Sequence, residues 1–224
     1  MDSWKVHLSG YQFVLWDLKK INTIDNQWLN QTIAAKKYAF AADFIRIYAI
    51  SHYGGVYLDA DVELIATLDP FMNHDFFIGF EYNNDLEPAI FGAVAGHSFL
   101  NDLMGYYQNR SFLKINGSLD TTPLPTIFNQ IAKSQFRFKS NGKMQLINNG
   151  NFAIYPCDYF SPKNIYFTKI KRTSNTVAIH HFDGSWVNKT GKYHLKQLLH
   201  KFLYAVSGKT FHSQLIHLIR RISA

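Results

Sequence analysis

The sequence predicts a mixed α/β domain, and three observations carry that prediction. Between Ala34 and Asp61 a helical pattern runs into Gly54-Gly55, then into a short β-type run that ends on two aspartates. Elsewhere short apolar runs such as Asp75 to Phe80 alternate with helical patterns such as Ser98 to Tyr107, the order expected of strands and helices sharing one core. The chain has 224 residues and no internal repeat or low-complexity segment. That length suits one domain with a substantial interior.

Taken in order, Tyr11 to Trp16 is a strand-like run of aromatic and branched residues. From Ala34 the chain reads as one amphipathic helix, with Phe40, Phe44, Ile47 and Ile50 at helical spacing. Asp43 and Arg46 stand at i and i+3 on one face of it. Gly54 ends the helix as a glycine after a C-cap does, and Val56-Tyr57-Leu58 is the strand that follows. Asp75 to Phe80 is a second strand, Asn83 to Pro88 a loop, and Ser98 to Tyr107 a helix with Phe99, Leu103 and Tyr106 on one side. A short helix is expected over Thr126 to Ala132, turns at Asn141-Gly142 and Asn148-Asn149-Gly150, and a late strand from Thr176 to His181.

Charge divides the chain in two. The last acidic residue is Asp183, and Lys189, Lys192, Lys196, Lys201, Lys209, Arg220 and Arg221 beyond it supply the whole net charge of +7. Residues 1–188 are therefore read as the domain and 189–224 as a basic helical tail. In the tail Leu195, Leu198, Leu199, Phe202 and Val206 recur at helical spacing, as do Leu215, Ile216 and Ile219. Such a tail either packs on the domain or lies on an anionic membrane surface. No nucleic-acid motif accompanies the charge. A single cysteine, Cys157, excludes an internal disulfide framework and points to a reducing compartment. Met1-Asp2-Ser3-Trp4 is not a secretory signal, and no apolar run approaches the ~20 residues that span a bilayer. These features predict a cytoplasmic protein, peripheral on the cytoplasmic face of the membrane if the tail binds there.

The chemistry centres on Asp59-Ala60-Asp61. With thirteen aspartates in the chain, a D-x-D triplet arises about 0.8 times by chance, so the triplet alone says little. Its position says more, because the C-terminal end of a strand is where open α/β sheets bind ligands. The helix upstream can aim Asp43 and Arg46 at the same crevice, or those two form a surface ion pair worth under about 1 kcal/mol.

The block A-x-D-x-x-R followed by G-G-x-Y-x-D-x-D, here Ala41 to Asp61, resembles the sugar-binding region of glycosyltransferase family 32, which includes capsule and lipopolysaccharide sugar transferases. The likeness continues in Ser3-Trp4-Lys5, Tyr11 to Asp17, Phe77 to Glu81, Ala89 to Ala93 with Gly96-His97, Asp120 to Pro123 and Ala178 to Trp186. It implies a GT-A-type fold, a single Rossmann-like sheet with helices on both faces. It also implies a metal-dependent retaining transfer from a nucleotide-diphosphate sugar to a glycan or lipid-linked glycan in cell-surface polysaccharide synthesis. A UDP-sugar is placed ahead of a GDP-sugar.

Carried over residue by residue, the likeness makes Asp59, Asp61 and Arg46 the catalytic set. Asp43, Arg46, Tyr57 and Asp59 are placed on the donor, with Ser185 and Trp186 closing over its diphosphate. Mn²⁺ or Mg²⁺ would be held by Asp61, Asp59 and a histidine of His180-His181-Phe182-Asp183-Gly184. His181 fits the family's phrase first and His180 second, and in a strand the two point to opposite faces. Tyr57 is equally a core strand tyrosine, and Trp186 equally a core residue. Glu81 and Asp85 are assigned to acceptor hydroxyls or are solvated loop charges; Glu87 is a further carboxyl after the strand. One departure stands out: family members carry a strand of type I-P-K-I-I-H ahead of the position of Ser3. It motivates an alternative function, a truncated relative that binds glycan or nucleotide sugar without turnover.

Overall fold

The computed structural model describes residues 1–163, 170–184, 191, 198–206, 212 and 215. Its helices are α1 (Asp2–His7), α2 (Leu18–Ile21), α3 (Gln27–Ala34), α4 (Tyr38–Tyr53), α5 (Ser98–Tyr107), α6 (Leu124–Gln135) and α7 (Cys157–Phe160). Its strands are β1 (Gly55–Leu58), β2 (Val62–Leu64), β3 (Phe76–Phe80), β4 (Leu86–Ala93), β5 (Gln145–Ile147), β6 (Phe152–Tyr155) and β7 (Ala178–His180). Five strands form one sheet in the order β1-β4-β3-β6-β5, and β2 pairs with β7 in a separate ribbon. The β3–β6 pair is parallel and the other pairs are antiparallel. The class is α/β with a mixed sheet, as the sequence predicts, and the arrangement is consistent with a GT-A-like domain.

The centre of the sheet explains its own sequence. β3, Phe76-Phe77-Ile78-Gly79-Phe80, is buried at every position, as a strand covered on both faces must be. Its alternate side chains separate two cores. Phe76, Ile78 and Phe80 join Trp28, Phe44, Phe99 and Phe128 beneath the long helices. Phe77 joins Leu64, Leu68, Phe71 and Phe160 on the side of the β2–β7 ribbon. Gly92 of β4 makes room for this packing, since a Cβ there would lie 2.2 Å from Cε1 of Phe77.

Several expectations are corrected. The helix expected from Ala34 begins only at Tyr38: Ala34 ends the separate helix α3, and Lys36, with a φ of 56°, turns the chain between the two. Its end is as expected: Gly54 has φ 68° and its N–H donates to the carbonyl of Ile50. A side chain at Gly54 would also meet the backbone N of Ala95 at 2.8 Å. Tyr11 to Trp16 is not a strand. Residues 12–17 have no regular structure, and Phe13, Val14 and Leu15 are exposed. The run is held at its ends instead, by the Tyr11 hydroxyl donating to Asp69 at 2.6 Å and by Trp16 packing on Tyr48 and Tyr53. The β-type composition is there, but no neighbouring strand satisfies its backbone. The short helix over Thr126 to Ala132 is longer, α6, with Pro125 in its first turn, where a missing N–H costs nothing. The loop expected to reach Pro88 ends sooner, since β4 begins at Leu86. The start of β4 is set off by a register shift between Ile78 and Gly79 of β3, and this shift matters to the site.

Candidate active site

α4, β1 and β4 converge on Arg46. Its buried guanidinium donates from Nη1 to Asp59 Oδ2 at 3.2 Å and to the Pro88 carbonyl at 3.0 Å. Nη2 lies 3.1 Å from Asp59 Oδ1 and 3.2 Å from Asp43 Oδ1. Its central carbon sits 4.6 Å from the ring centre of Tyr57, a cation–π contact. The Tyr57 hydroxyl donates to Asp59 Oδ1 at 2.7 Å. On its other side Asp43 accepts from the backbone N–H of Leu124 at 3.3 Å, the first residue of α6. The positive end of that helix therefore faces the carboxylate. Asp43 and Arg46 are thus no surface pair. Burial pushes the Asp43 carboxyl upward against the pull of Arg46 and the Leu124 amide. Burial also opposes the charge on Arg46, but Tyr57, Asp59 and Asp43 outweigh it and keep the guanidinium charged.

Asp61 lies beyond the turn after β1, where the Val62 N–H donates to the Asp59 carbonyl at 3.0 Å. β7 delivers the third group. The β2–β7 register sets His180 opposite Val62, and His180 Nε2 reaches 3.3 Å from Asp61 Oδ1. Past β7 the chain kinks at Phe182, whose φ of 54° is rare for a bulky residue. The kink lets the Asp183 N–H donate to the other Asp61 oxygen at 2.8 Å. Burial raises the Asp61 carboxyl, yet the His180 hydrogen bond and charge and the Asp183 amide hold it down at about 2. For His180, burial opposes the imidazolium, while Asp61, Glu87 and Asp59 together raise its pKa.

Asp59, Asp61 and His180 each offer a donor atom within 4.8 Å of the others. Two carboxylate oxygens and an imidazole suit a divalent cation that accepts both oxygen and nitrogen ligands. Charge agrees with that fit. Among the described residues the cations paired with Asp43, Asp59, Asp61 and Glu87 are Arg46 and the imidazole. Burial raises the carboxyls of Asp43 and Glu87, and a divalent ion would offset the negative charge of this cluster. The oxygens of Asp59 are already engaged by Arg46 and Tyr57, whereas Asp61 is held by a backbone amide and one imidazole edge. Asp61 is the freer ligand.

The geometry brings His180, the second choice from the sequence, beside the aspartates rather than His181. His181, placed first from the sequence, points to the opposite face and meets Glu63 Oε2 at 2.9 Å, while its backbone N–H donates to the Asp61 carbonyl at 3.0 Å. His180, placed second, is the ring beside the aspartates. Tyr57 is brought into the cluster. Glu81 and Asp85 lie at the β3–β4 turn, outside the 4.8 Å group, and both are buried. Glu81 accepts from Asn83 at 3.3 Å and Asp85 pairs with Lys133 at 3.5 Å, so neither is a solvated loop charge. Ser185 and Trp186 lie outside the described residues. The structure brings Glu87, named from the sequence only as a further carboxyl, to the site and adds two backbone groups, the Pro88 carbonyl and the α6 amide. Backbone groups leave no mark in a sequence. Glu87 left only its acidity.

Comparison with known proteins agrees with this geometry. The family described as glycosyltransferase sugar-binding region containing DXD motif matches residues 1–78, a span that includes Asp43, Arg46, Tyr57, Asp59 and Asp61. The chain is similar to two mannosyl phosphorylinositol ceramide synthases of Saccharomyces cerevisiae. One is 29% identical over 73% of this chain and 44% of the relative; the other is 28% identical over 67% and 42%. It is also similar to inositol phosphoceramide mannosyltransferase 1 of Schizosaccharomyces pombe, 30% identical over 54% of this chain and 37% of that protein. The chain thus spans less than half the length of these relatives. No solved structure matches it. Residues 1–78 are thus similar to a glycosyltransferase sugar-binding region, and these relatives are mannosyl phosphorylinositol ceramide synthases and a mannosyltransferase.

Proposed function

We propose that the protein is a metal-dependent glycosyltransferase that moves a sugar, with retention, from a nucleotide-diphosphate sugar to a hydroxyl of a lipid or lipid-linked glycan. The observation that carries the reading is the grouping of Asp59, Asp61 and His180 beside the Arg46–Asp43 pair. Asp61 and His180 would hold Mn²⁺ or Mg²⁺, with Asp59 directly or through water. When bound, that ion offsets the charge developing on the leaving diphosphate. Arg46 presents fixed N–H donors, and its buried position keeps them in place before substrate arrives. Asp43 and Asp59 orient Arg46 and offer carboxylate oxygens for sugar hydroxyls.

The relatives' names direct the sugar toward mannose and the acceptor toward an inositol-containing lipid. They do not carry the polysaccharide role or the preference for a UDP-sugar that the sequence suggested, so both nucleotides belong in the test. The protein would be incubated with UDP- and GDP-sugars, Mn²⁺ and lipid acceptors, with release of nucleoside diphosphate as the readout. Acceptor-dependent release that vanishes in Asp61→Ala supports the reading. Tight donor binding without release in the full panel would favour the non-catalytic alternative.

Residues 198–206 support a second element of the reading. They are helical, and Leu198, Leu199, Phe202 and Val206 are exposed; at 100° per residue they share one 100° arc. His200 is buried on the opposite side, and Lys201 is exposed beside the apolar arc. An apolar stripe within residues 189–224, which hold the whole positive excess, fits an anionic bilayer surface, where a lipid acceptor would lie. No helix among the described residues is long and apolar enough to cross a membrane. Co-sedimentation with vesicles containing phosphatidylserine, weakened by salt and by Phe202→Asp, is expected. Equal sedimentation with neutral vesicles, or none, would refute it.

A further inference from the structure

Glu87 stands beside the far edge of the His180 ring, and nothing in the transfer reading uses it. It follows the register shift between β3 and β4 and is the residue of β4 paired with Gly79. It is mostly buried, with its side chain 14% exposed, and its Oε1 accepts a single 3.3 Å bond from the Ala89 N–H. The same oxygen lies 3.8 Å from Nδ1 of His180. That nitrogen is buried and has no hydrogen-bond partner. Two buried polar groups therefore face each other across slightly more than a hydrogen bond.

We propose that Glu87 is the positioning residue of the metal centre, acting through His180. The inference rests on the metal-dependent reading of Asp59, Asp61 and His180. A ring that ligates through Nε2 must offer a lone pair there, so its one remaining proton sits on Nδ1. That proton needs an acceptor, because an unsatisfied buried donor costs the desolvation of the group. Glu87 Oε1 is placed to accept it, and a small rotation of either side chain shortens 3.8 Å to bonding distance. Histidines that bind metals are commonly held in this way, by a carboxylate that fixes the tautomer and the ring orientation. The Ala89 amide and the bulged start of β4 keep the carboxylate in line. Phe182, its ring centre 3.9 Å from that of His180, limits the ring from its face.

The test is Mn²⁺ affinity of the full chain by titration calorimetry, for wild type, Glu87→Ala, Glu87→Gln and Asp61→Ala. Long-range ¹H–¹⁵N spectra of the His180 ring, in protein loaded with diamagnetic Mg²⁺, accompany it. Glu87→Ala is expected to weaken Mn²⁺ binding by about 10- to 100-fold. Glu87→Gln, which keeps an acceptor oxygen and the shape, recovers most of that loss. In wild type the His180 proton is expected on Nδ1, and in Glu87→Ala its signal broadens or moves. Circular dichroism shows whether each variant is folded, and Glu87→Gln carries the test if Glu87→Ala is not. Equal Mn²⁺ affinity in wild type and both Glu87 variants would overturn the proposal while leaving the metal reading intact. A His180 proton on Nε2 in the loaded protein would overturn it together with ligation through that nitrogen. A wild type with no Mn²⁺ affinity would remove the ground of both.

Discussion

Replacing Arg46 by methionine isolates what the buried pair contributes. The substitution keeps most of the side-chain volume and removes a guanidinium that touches Asp59, Asp43 and the Pro88 carbonyl. Both carboxylates remain, with side chains 16% and 23% exposed. Their mutual repulsion and that of Glu87 then lose the opposing guanidinium, while the Leu124 amide, the Tyr57 hydroxyl and His180 remain. Breaking a buried pair from one side costs about 3–5 kcal/mol, because the stranded charge keeps its desolvation penalty. With a urea slope of about 2 kcal/mol per molar, the unfolding midpoint should fall by about 2 M. Arg46→Met combined with Asp59→Asn should recover part of the loss, because one of the stranded charges is gone. Urea unfolding followed by circular dichroism reads all three proteins. A loss below about 1 kcal/mol, the range of an exposed ion pair, would refute the claim that this pair is a buried, preorganised element of the site.

Further outcomes follow from other parts of the fold. Gly92→Ala should lower stability by about 1–3 kcal/mol in the same assay, because its Cβ would lie 2.2 Å from the buried Phe77 ring; an unchanged midpoint would show that the ring yields freely. Asp120 accepts from Arg110 at 2.9 and 2.7 Å and from Thr122 at 2.8 Å. Burial raises its carboxyl, but these hydrogen bonds outweigh it and hold the pKa below the ordinary value. A depressed carboxyl contributes stability above its unfolded pKa, about 3.9, and loses it as pH falls through the folded value. Wild type should therefore lose stability relative to Asp120→Asn on acidification below about pH 4. Parallel pH profiles would contradict this.

What the sequence disclosed was what one element can encode alone. The α4–Gly54–β1–Asp59 succession was readable because helical spacing, a helix-ending glycine and a short Val-Tyr-Leu run each leave a local mark. The beginning of α4 was not, since the turn at Lys36 carries no glycine or proline. Tyr11 to Trp16 has the composition of a strand, but strands exist only by pairing, and pairing is a property of neighbours. The same limit governed the histidines. Adjacent residues of a strand differ only in the face they present, and the partner sets the face; pairing of β7 with β2 turns His180 to the aspartates and His181 to Glu63. Glu87 reaches the site because of a register shift between β3 and β4, which no local pattern announces.

The central claim is that Asp61 and His180 hold a divalent ion against a nucleotide-diphosphate sugar. Thermal unfolding with and without Mn²⁺ and a panel of UDP- and GDP-sugars tests it on wild type, Asp61→Ala, His180→Ala and His181→Ala. A ligand that binds only the folded state stabilises it by about 2.7 kcal/mol at a hundred times its Kd. The account predicts a Mn²⁺-dependent rise in Tm with one donor, lost in Asp61→Ala and His180→Ala and kept in His181→Ala. A rise that survives His180→Ala and disappears in His181→Ala would contradict it.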